Sequence, residues 1–149
     1  MFQGNFEYTI DAKGRLSIPA KFRDIIQVRD GEAVVVTNWF DGCLMGFTPQ
    51  DWQAFRQKIK NMGTGNRRQR RMYRSLVGPA VELSWDRQGR VLIPPPLRAH
   101  AQLEHQVVIA GFDDRFEVWG KELWEKEQEF PSISAEESEE SLADMGIVF

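Results

Sequence analysis

The sequence predicts a mainly β fold with peripheral helices, formed by two internal repeats around a pseudo-twofold axis. One motif occurs twice, from Asp11 to Pro19 and from Asp86 to Pro94, with Asp, Gly, Arg, Ile and Pro in the same register. A recurrence this dense, spaced by about half the chain, indicates a duplication. Apolar and polar residues also alternate on the strands around each motif, as in half-buried β-strands. Neither half can bury its aromatic residues alone, so we expect the halves to share one core.

Each motif predicts a tight turn. Asp at its first position and Gly at its fourth are the signature of a type I turn, in which Asp accepts backbone hydrogen bonds and Gly takes a conformation that a side chain would penalise. Strands on both sides of such a turn are typical of a β-hairpin. We therefore predict a hairpin in each half, the first over residues 5–19. The tips carry Lys13 and Arg15 in one half, and Arg87 and Arg90 in the other.

The elements after the first turn follow in order. Pro19 ends the second strand, and residues 20–26 predict a short helix. Val34 to Val36 predict a strand buried on both faces, and residues 44–47 predict its neighbour. Thr48 and Pro49 are a favourable helix start, and Gly63 a stop. The apolar stripe of that helix is Trp52, Phe55, Ile59 and Met62. A second helix is expected from an Asn66 cap through Arg74.

The second half repeats this order. We expect a short helix at 97–103, strands at 107–109 and 116–119, and a helix beginning at 121–124. The chain therefore divides into repeat 1, a basic helical connector, repeat 2 and an acidic C-terminal tail, at residues 5–54, 55–80, 81–126 and 127–149. Within the tail, Ser134 and Glu137 match a helix cap.

Charge is distributed unevenly along the chain. The net charge is −3, but residues 127–149 hold seven acidic side chains and no Lys or Arg, so the remainder carries +4. Residues 56–74 hold eight basic side chains and no acidic one. A basic body with an acidic tail is compatible with nucleic acid as a partner.

Other features exclude several classes of protein. The single cysteine, Cys43, rules out an internal disulfide framework and a cysteine-cluster metal site, and we expect it to be a buried small apolar residue. Apolar runs are far too short to span a membrane, and the first residues lack the pattern of a secretory signal. These observations favour a reducing cytoplasm.

Three segments carry a family resemblance: Met1-Phe2-x-Gly4, Ile10-Asp11-x-Lys13-Gly14-Arg15-Leu16-x-Ile18-Pro19, and Asp86-x-x-Gly89-Arg90-x-Leu92-Ile93. They resemble the MraZ family of bacterial transcriptional regulators, built from two SpoVT-AbrB-type repeats. The resemblance covers roughly residues 1–130. It implies a swapped-hairpin AbrB-like β-barrel in which the repeats take the parts of an AbrB-type dimer. It also implies binding to double-stranded DNA, ring-like homo-oligomers and nucleoid association. The target would be short G-rich direct repeats that control the cell-wall and cell-division gene cluster, including the protein's own promoter.

The family's DNA-contacting positions are its Asp-x-x-x-Arg turns. They carry over to Asp11, Lys13, Arg15, Asp86 and Arg90. The second copy departs from the first, because Gln88 stands at the position of Lys13. We expect Arg87, one place earlier, to supply the missing charge. We expect no cofactor, no membrane association and no small-molecule substrate.

Two interpretations of the turns are open from the residues themselves. In the first, Arg15 and Arg90 pair with guanine O6 and N7 in the major groove, while Lys13 and Arg87 contact phosphates. The aspartates, being anionic, would hold the turns and orient the arginines. In the second, each turn is an ordinary surface turn with a weak exposed ion pair. The duplication and the resemblance favour the first.

Catalytic and metal-binding functions are not favoured. Two aspartates can share a proton in acid–base catalysis, but Asp11 and Asp86 each precede Arg or Lys in a polar turn. No base is apparent beside Cys43, and His100 and His105 lack the companions of a metal site. We expect no enzyme and no metal.

The basic run from Arg67 to Arg74 also has two interpretations. It could contact phosphates, or it could be a solvated face that pairs with acidic residues of a neighbouring subunit, and we prefer the second. A different function remains as an alternative: an oligomeric interaction module whose basic loops bind a protein partner or RNA.

Overall fold

The computed structural model describes residues 1–129 and 134–147. The strands in these residues are β1 Asn5–Thr9, β2 Arg15–Ser17, β3 Ala33–Asn38, β4 Leu44–Phe47, β5 Val81–Ser84, β6 Arg90–Leu92, β7 Gln106–Phe112 and β8 Arg115–Gly120. The helices are α1 Ala20–Asp30, α2 Pro49–Met62, α3 Arg67–Met72, α4 Pro95–Ala101, α5 Lys121–Glu129 and α6 Ala135–Asp144, with a π-helical turn Tyr73–Val77 after α3. The mainly β character with peripheral helices is confirmed. Residues 130–133 and 148–149 of the predicted acidic tail lie outside the described residues.

Six strands form one antiparallel sheet in the order β1-β7-β8-β4-β3-β5. The two central hairpins, β3–β4 and β7–β8, come one from each repeat. Each outer strand belongs to the other repeat: β1 pairs with β7, and β5 pairs with β3. Among the described residues this sheet is not closed, so the predicted barrel is not confirmed.

The predicted pairing of the strands beside each turn is wrong. Strand β1 pairs with β7, with Asn5 opposite Ala110, and β2 pairs with β6. The motif determines only that the chain reverses direction. The alternation of apolar and polar residues requires that one face of each strand be buried, but it does not determine which strand lies beside it. Strand β7 is seven residues long and offers β1 a full partner, which the three residues of β2 cannot.

The strands β2 and β6 show how the repeats are related. Leu16 lies opposite Val91, its own equivalent in the other repeat. The flanking bonds are also equivalent: Ile18 N donates to Gly89 O at 2.9 Å, and Ile93 N donates to Gly14 O at 2.8 Å. The pseudo-twofold axis therefore passes between Leu16 and Val91.

One shared core lies between the sheet, α1, α4 and the β2–β6 pair. Its fully buried members come from both repeats and include Phe2, Leu16, Phe22, Val34, Val36, Val91, Leu97, Ile109 and Phe116. The opposite face of the sheet is covered separately by the helices α2 and α5. Val35 packs there with Trp52, and Val108 packs with Trp124. The prediction that Val34 to Val36 are buried on both faces is confirmed.

The helix caps agree with the sequence better than the helix lengths. Thr48 Oγ1 accepts from Asp51 N at 3.0 Å, and Asn66 forms a capping box with Gln69. The predicted cap at Ser134 is also present, accepting from Glu137 N at 3.1 Å. Helix α1 continues to Asp30 instead of ending at residue 26. Met62, predicted to face inward, is 50% exposed because it lies in the last turn of α2, where the chain leaves the sheet.

Candidate nucleic-acid interface

The first turn is organised by the Asp11 carboxylate. Its Oδ1 accepts hydrogen bonds from Lys13 N at 3.0 Å and Arg15 N at 2.8 Å. Its backbone oxygen accepts from Gly14 N at 3.0 Å. Gly14 has φ of +94°, a conformation that L side chains rarely adopt. One side chain thus satisfies two backbone donors and sets the shape of the turn.

The second turn repeats this geometry atom by atom. Asp86 Oδ1 accepts from Gln88 N at 2.9 Å and Arg90 N at 3.0 Å. Gly89, with φ of +78°, donates to Asp86 O at 2.9 Å. Gln88 keeps the backbone bond that Lys13 makes in the first turn, so the departure in sequence changes charge and leaves the turn geometry unchanged.

Each aspartate also binds the side chain of its arginine. Arg15 Nε donates to Asp11 Oδ2 at 2.6 Å. In the second turn, Arg90 Nε and Nη2 each lie 3.1 Å from Asp86 Oδ2. This geometry agrees with the turn-holding and arginine-orienting role predicted for both aspartates. The bond to Asp11 uses Nε, the inner nitrogen of the Arg15 guanidinium.

The same bonds shift the acid–base properties of the aspartates. The backbone hydrogen bond from Arg15 has the largest effect on the pKa of Asp11; desolvation opposes it, and the Arg15 side chain and the Lys13 backbone add to it, so that the pKa is lowered from 3.8 to about 2. The backbone hydrogen bond from Arg90 likewise lowers the pKa of Asp86. Both carboxylates are therefore ionised at neutral pH, each engaged by its own arginine, which is unsuited to a proton-sharing pair.

The two arginines lie on one face of a two-stranded ribbon, β2 and β6. Arg15 is opposite Leu92, and Arg90 is opposite Ser17. Side chains opposite each other in an antiparallel pair point to the same side, and their neighbours point to the other. The buried residues of the pair are Leu16 and Val91, each 0% exposed, so Arg15 and Arg90 belong to the outer face. Their Cα atoms are about 8 Å apart from strand spacing and rise.

The remaining basic residues of the predicted site lie on the turns that precede β2 and β6. Lys13 and Arg87 are exposed on the first and second turn, respectively. All six residues predicted as a site, Asp11, Lys13, Arg15, Asp86, Arg87 and Arg90, thus lie on two equivalent turns of one body. Among them, Arg87 has no basic equivalent in the first turn, where Ala12 stands.

The chain matches one family twice, once over each half. The family, described as "MraZ protein, putative antitoxin-like", matches residues 1–75 and 76–145. The chain belongs to the MraZ family. A protein of Roseiflexus castenholzii named Transcriptional regulator MraZ is 45% identical over 125 residues, which are 84% of this chain and 85% of that protein. A protein of the same name from Thermoanaerobacter sp. (strain X514) is 40% identical over 147 residues, 99% of this chain and 100% of that protein. One from Lactiplantibacillus plantarum is 39% identical over 144 residues, 97% and 99% of the two chains.

Cys43 and His100, which were considered from the sequence as catalytic or metal-binding candidates, have contacts within the fold of this MraZ-family chain. Cys43 is 0% exposed, as predicted, and burial raises the pKa of its thiol. His100 Nε2 lies 2.9 Å from the backbone oxygen of Trp39. Over residues 1–129 and 134–147, no cluster of three His, Cys, Asp or Glu side chains could hold a metal ion. Over the same residues, no helix has the length and apolar character to cross a membrane.

The basic run lies on α3 and the π-helical turn. Arg67, Arg68, Arg71 and Arg74 are exposed, and Arg70 Nη1 donates to Thr64 O at 3.1 Å. These side chains form a charged surface on α3 and the π-helical turn.

Two arginines that contact the turns, Arg23 and Arg98, were not predicted from the sequence. Each donates from Nε to the backbone oxygen of an isoleucine at 3.0 Å, Ile18 for Arg23 and Ile93 for Arg98. A signal is present in the sequence, because each follows the arginine of its motif by eight residues. The motif alone does not reveal it, because both arginines lie beyond the motif on predicted helices.

Proposed function

We propose that this MraZ-family chain is a sequence-specific regulator that binds double-stranded DNA through the outer face of the β2–β6 ribbon. The relatives are named transcriptional regulators, which supports the regulatory role. The observation that carries the proposal is the pair of equivalent turns that present Arg15 and Arg90 on one face of a two-stranded ribbon. The major groove of B-DNA is about 12 Å wide and admits such a ribbon.

Each side chain has a distinct part in this proposal. Arg15 and Arg90 read guanine through O6 and N7, for which a planar guanidinium fork is suited. Asp11 holds Arg15 through Nε, and Asp86 holds Arg90 through Nε and Nη2, so the arginines are oriented before DNA arrives. Lys13 and Arg87 contact phosphates, which position the protein without specifying sequence.

We further propose that several chains bind together. A chain offers two reading arginines, so high specificity requires several copies acting on repeated sites. We expect a ring-like homo-oligomer on short G-rich direct repeats at its own promoter in the cell-wall and cell-division gene cluster, with avidity set by the ring geometry. The proposal includes closure of the two repeats into an AbrB-like barrel, a cytoplasmic, nucleoid-associated location, and no catalytic step.

The test compares two kinds of substitution on one turn. Arg15→Gln removes one guanine contact per chain, which is worth about 1–3 kcal/mol, or roughly 5- to 150-fold in affinity. Because several chains bind the operator together and each carries the substitution, we expect at least this loss on the operator and a much smaller one on unrelated DNA. Lys13→Gln, the matched control, should weaken both DNAs alike. It should also reduce the salt slope of log K by about 0.9 for each phosphate that the side chain no longer neutralises.

The measurement is a fluorescence-anisotropy titration with the DNA upstream of the gene, at several salt concentrations, and with competitor RNA. Size-exclusion chromatography checks that the variants keep the oligomer. Undiminished operator affinity in folded Arg15→Gln refutes the proposal. Preferential displacement of the operator by RNA would instead favour the alternative of an RNA-binding module.

A further inference from the structure

Each recognition turn is covered by an arginine from the other repeat. A Cβ placed on Gly14 would lie 2.8 Å from Arg98 Nε and 3.0 Å from its Cζ. A Cβ placed on Gly89 would lie 2.5 Å from Arg23 Cζ and 2.6 Å from its Nε. The contacts are reciprocal: the second repeat covers the first turn, and the first repeat covers the second turn. A Cβ on Gly14 would also lie 2.8 Å from the backbone oxygen of Ile93, so this glycine is required for space as well as for its positive φ, whereas a Cβ on Gly89 would displace the Arg23 guanidinium.

The arginines are held in place by the residues that bind the turns. Ile93 N donates to Gly14 O at 2.8 Å, and Ile93 O accepts from Arg98 Nε at 3.0 Å. One isoleucine thus joins the first turn to the arginine that covers it. In the other direction, Ile18 N donates to Gly89 O at 2.9 Å, and Ile18 O accepts from Arg23 Nε at 3.0 Å.

We propose that Arg23 and Arg98 are positioning residues that act crosswise. Arg98 orders the turn that carries Arg15, and Arg23 orders the turn that carries Arg90. The planar guanidinium lies against the glycine and is fixed by its Nε bond, so it limits the movement of a turn that has no side chain at that point. An ordered turn loses less conformational freedom when it binds, which raises affinity. The inference rests on the proposed function for its consequence on DNA, while its structural part does not.

Hydrogen exchange in the DNA-free protein tests the structural part. The reporters are the amides that donate to the aspartates: Lys13 and Arg15 in the first turn, Gln88 and Arg90 in the second. We expect Arg98→Met to speed exchange at the first pair about tenfold and leave the second pair within about twofold. Arg23→Met is the matched control and should give the opposite pattern. Equal changes at both turns overturn the proposal. So do changes that are confined to the turn in the same repeat as the substituted arginine.

A conservative substitution separates positioning from charge. Arg98→Lys keeps the positive charge but has neither the Nε donor nor the flat guanidinium. If Arg98 acts by positioning, Arg98→Lys speeds exchange at the first turn as Arg98→Met does, and it also weakens operator binding. Full operator affinity in Arg98→Lys, with a loss in Arg98→Met, would show an action through charge and refute positioning. Arg98→Lys also replaces Arg98→Met in the exchange experiment if circular dichroism shows that the latter is unfolded.

The consequence for DNA is tested by combining substitutions. Arg98→Met and Arg15→Gln act on the same turn, so their effects on operator affinity should not be independent. The double variant should lose clearly less affinity than the product of the two single fold-losses. Arg98→Met and Arg90→Gln act on different turns, so their fold-losses should multiply. The reverse pattern overturns the crosswise assignment. If the wild-type protein binds no DNA while the exchange pattern is crossed, the proposed function fails and the positioning role stands.

Discussion

The burial of Leu16 at the centre of the β2–β6 ribbon gives a sharp test of the shared core. Leu16→Ala removes three carbons from a side chain that is 0% exposed. At about 0.8 kcal/mol per carbon, the transfer contribution is about 2.4 kcal/mol. The cavity left beside Val91 adds to it, so we expect a loss of about 3–4 kcal/mol in the free energy of unfolding.

Two neighbouring residues on the other strand supply the controls. Val91→Ala removes two carbons from an equally buried side chain and should cost about 2–3 kcal/mol. Leu92→Ala changes a leucine that is 56% exposed on the outer face, and should cost about 1 kcal/mol or less. The two leucine variants therefore differ because of burial, and the two buried variants differ because of the number of carbons removed.

Urea denaturation followed by circular dichroism measures these losses. Protein concentration is kept constant, because subunit association shifts apparent stability. The midpoints should fall in the order given while the m-value stays unchanged. Equal losses for Leu16→Ala and Leu92→Ala would refute the assignment of the inner and outer faces of the ribbon, and with it the placement of Arg15 and Arg90.

Two further predictions concern titratable groups. Arg15→Gln keeps the backbone donor that most strongly lowers the pKa of Asp11, so NMR titration should find that pKa raised from about 2 but still below 3.8; a value of 3.8 or above would contradict the dominance of the backbone bond. Because the pKa of Asp11 is lowered on folding, its contribution to stability is complete above 3.8 and is lost as pH falls toward about 2. The Cys43 thiol should react with Ellman's reagent only after denaturation, since it is 0% exposed; rapid labelling of the native protein would contradict its burial.

The turns could be predicted from the sequence because their information is local. Asp at the first position and Gly at the fourth determine the hydrogen bonds within five residues, and both copies form as expected. The sharing of a core by two repeats also followed from the sequence, since the motif recurs and each half alone has too little interior. The division at residues 54, 80 and 126 stays a prediction.

The strand partners could not be predicted because alternation identifies a buried face but not the strand beside it. For β1, the choice between β2 and β7 depends on the length of the available partner, a property of the folded chain. The positions of Arg23 and Arg98 likewise depend on a pairing between the repeats, that of β2 with β6. They cover turns of the opposite repeat, which a hairpin within each repeat would not place beside them.

The exchange of outer strands has a consequence for synthesis of the chain. Strand β1 pairs with β7, and Asn5 lies opposite Ala110. At about 5–20 residues per second, Ala110 is added roughly 5–20 seconds after Asn5. During that time the first strand has no native partner, and its apolar face is exposed to chaperones or to another nascent chain. Pairing over such a separation also slows folding, because loop closure precedes the contacts that compensate it. Strand β1 is therefore among the last elements of the sheet to reach its native neighbour, although it is the first to be made.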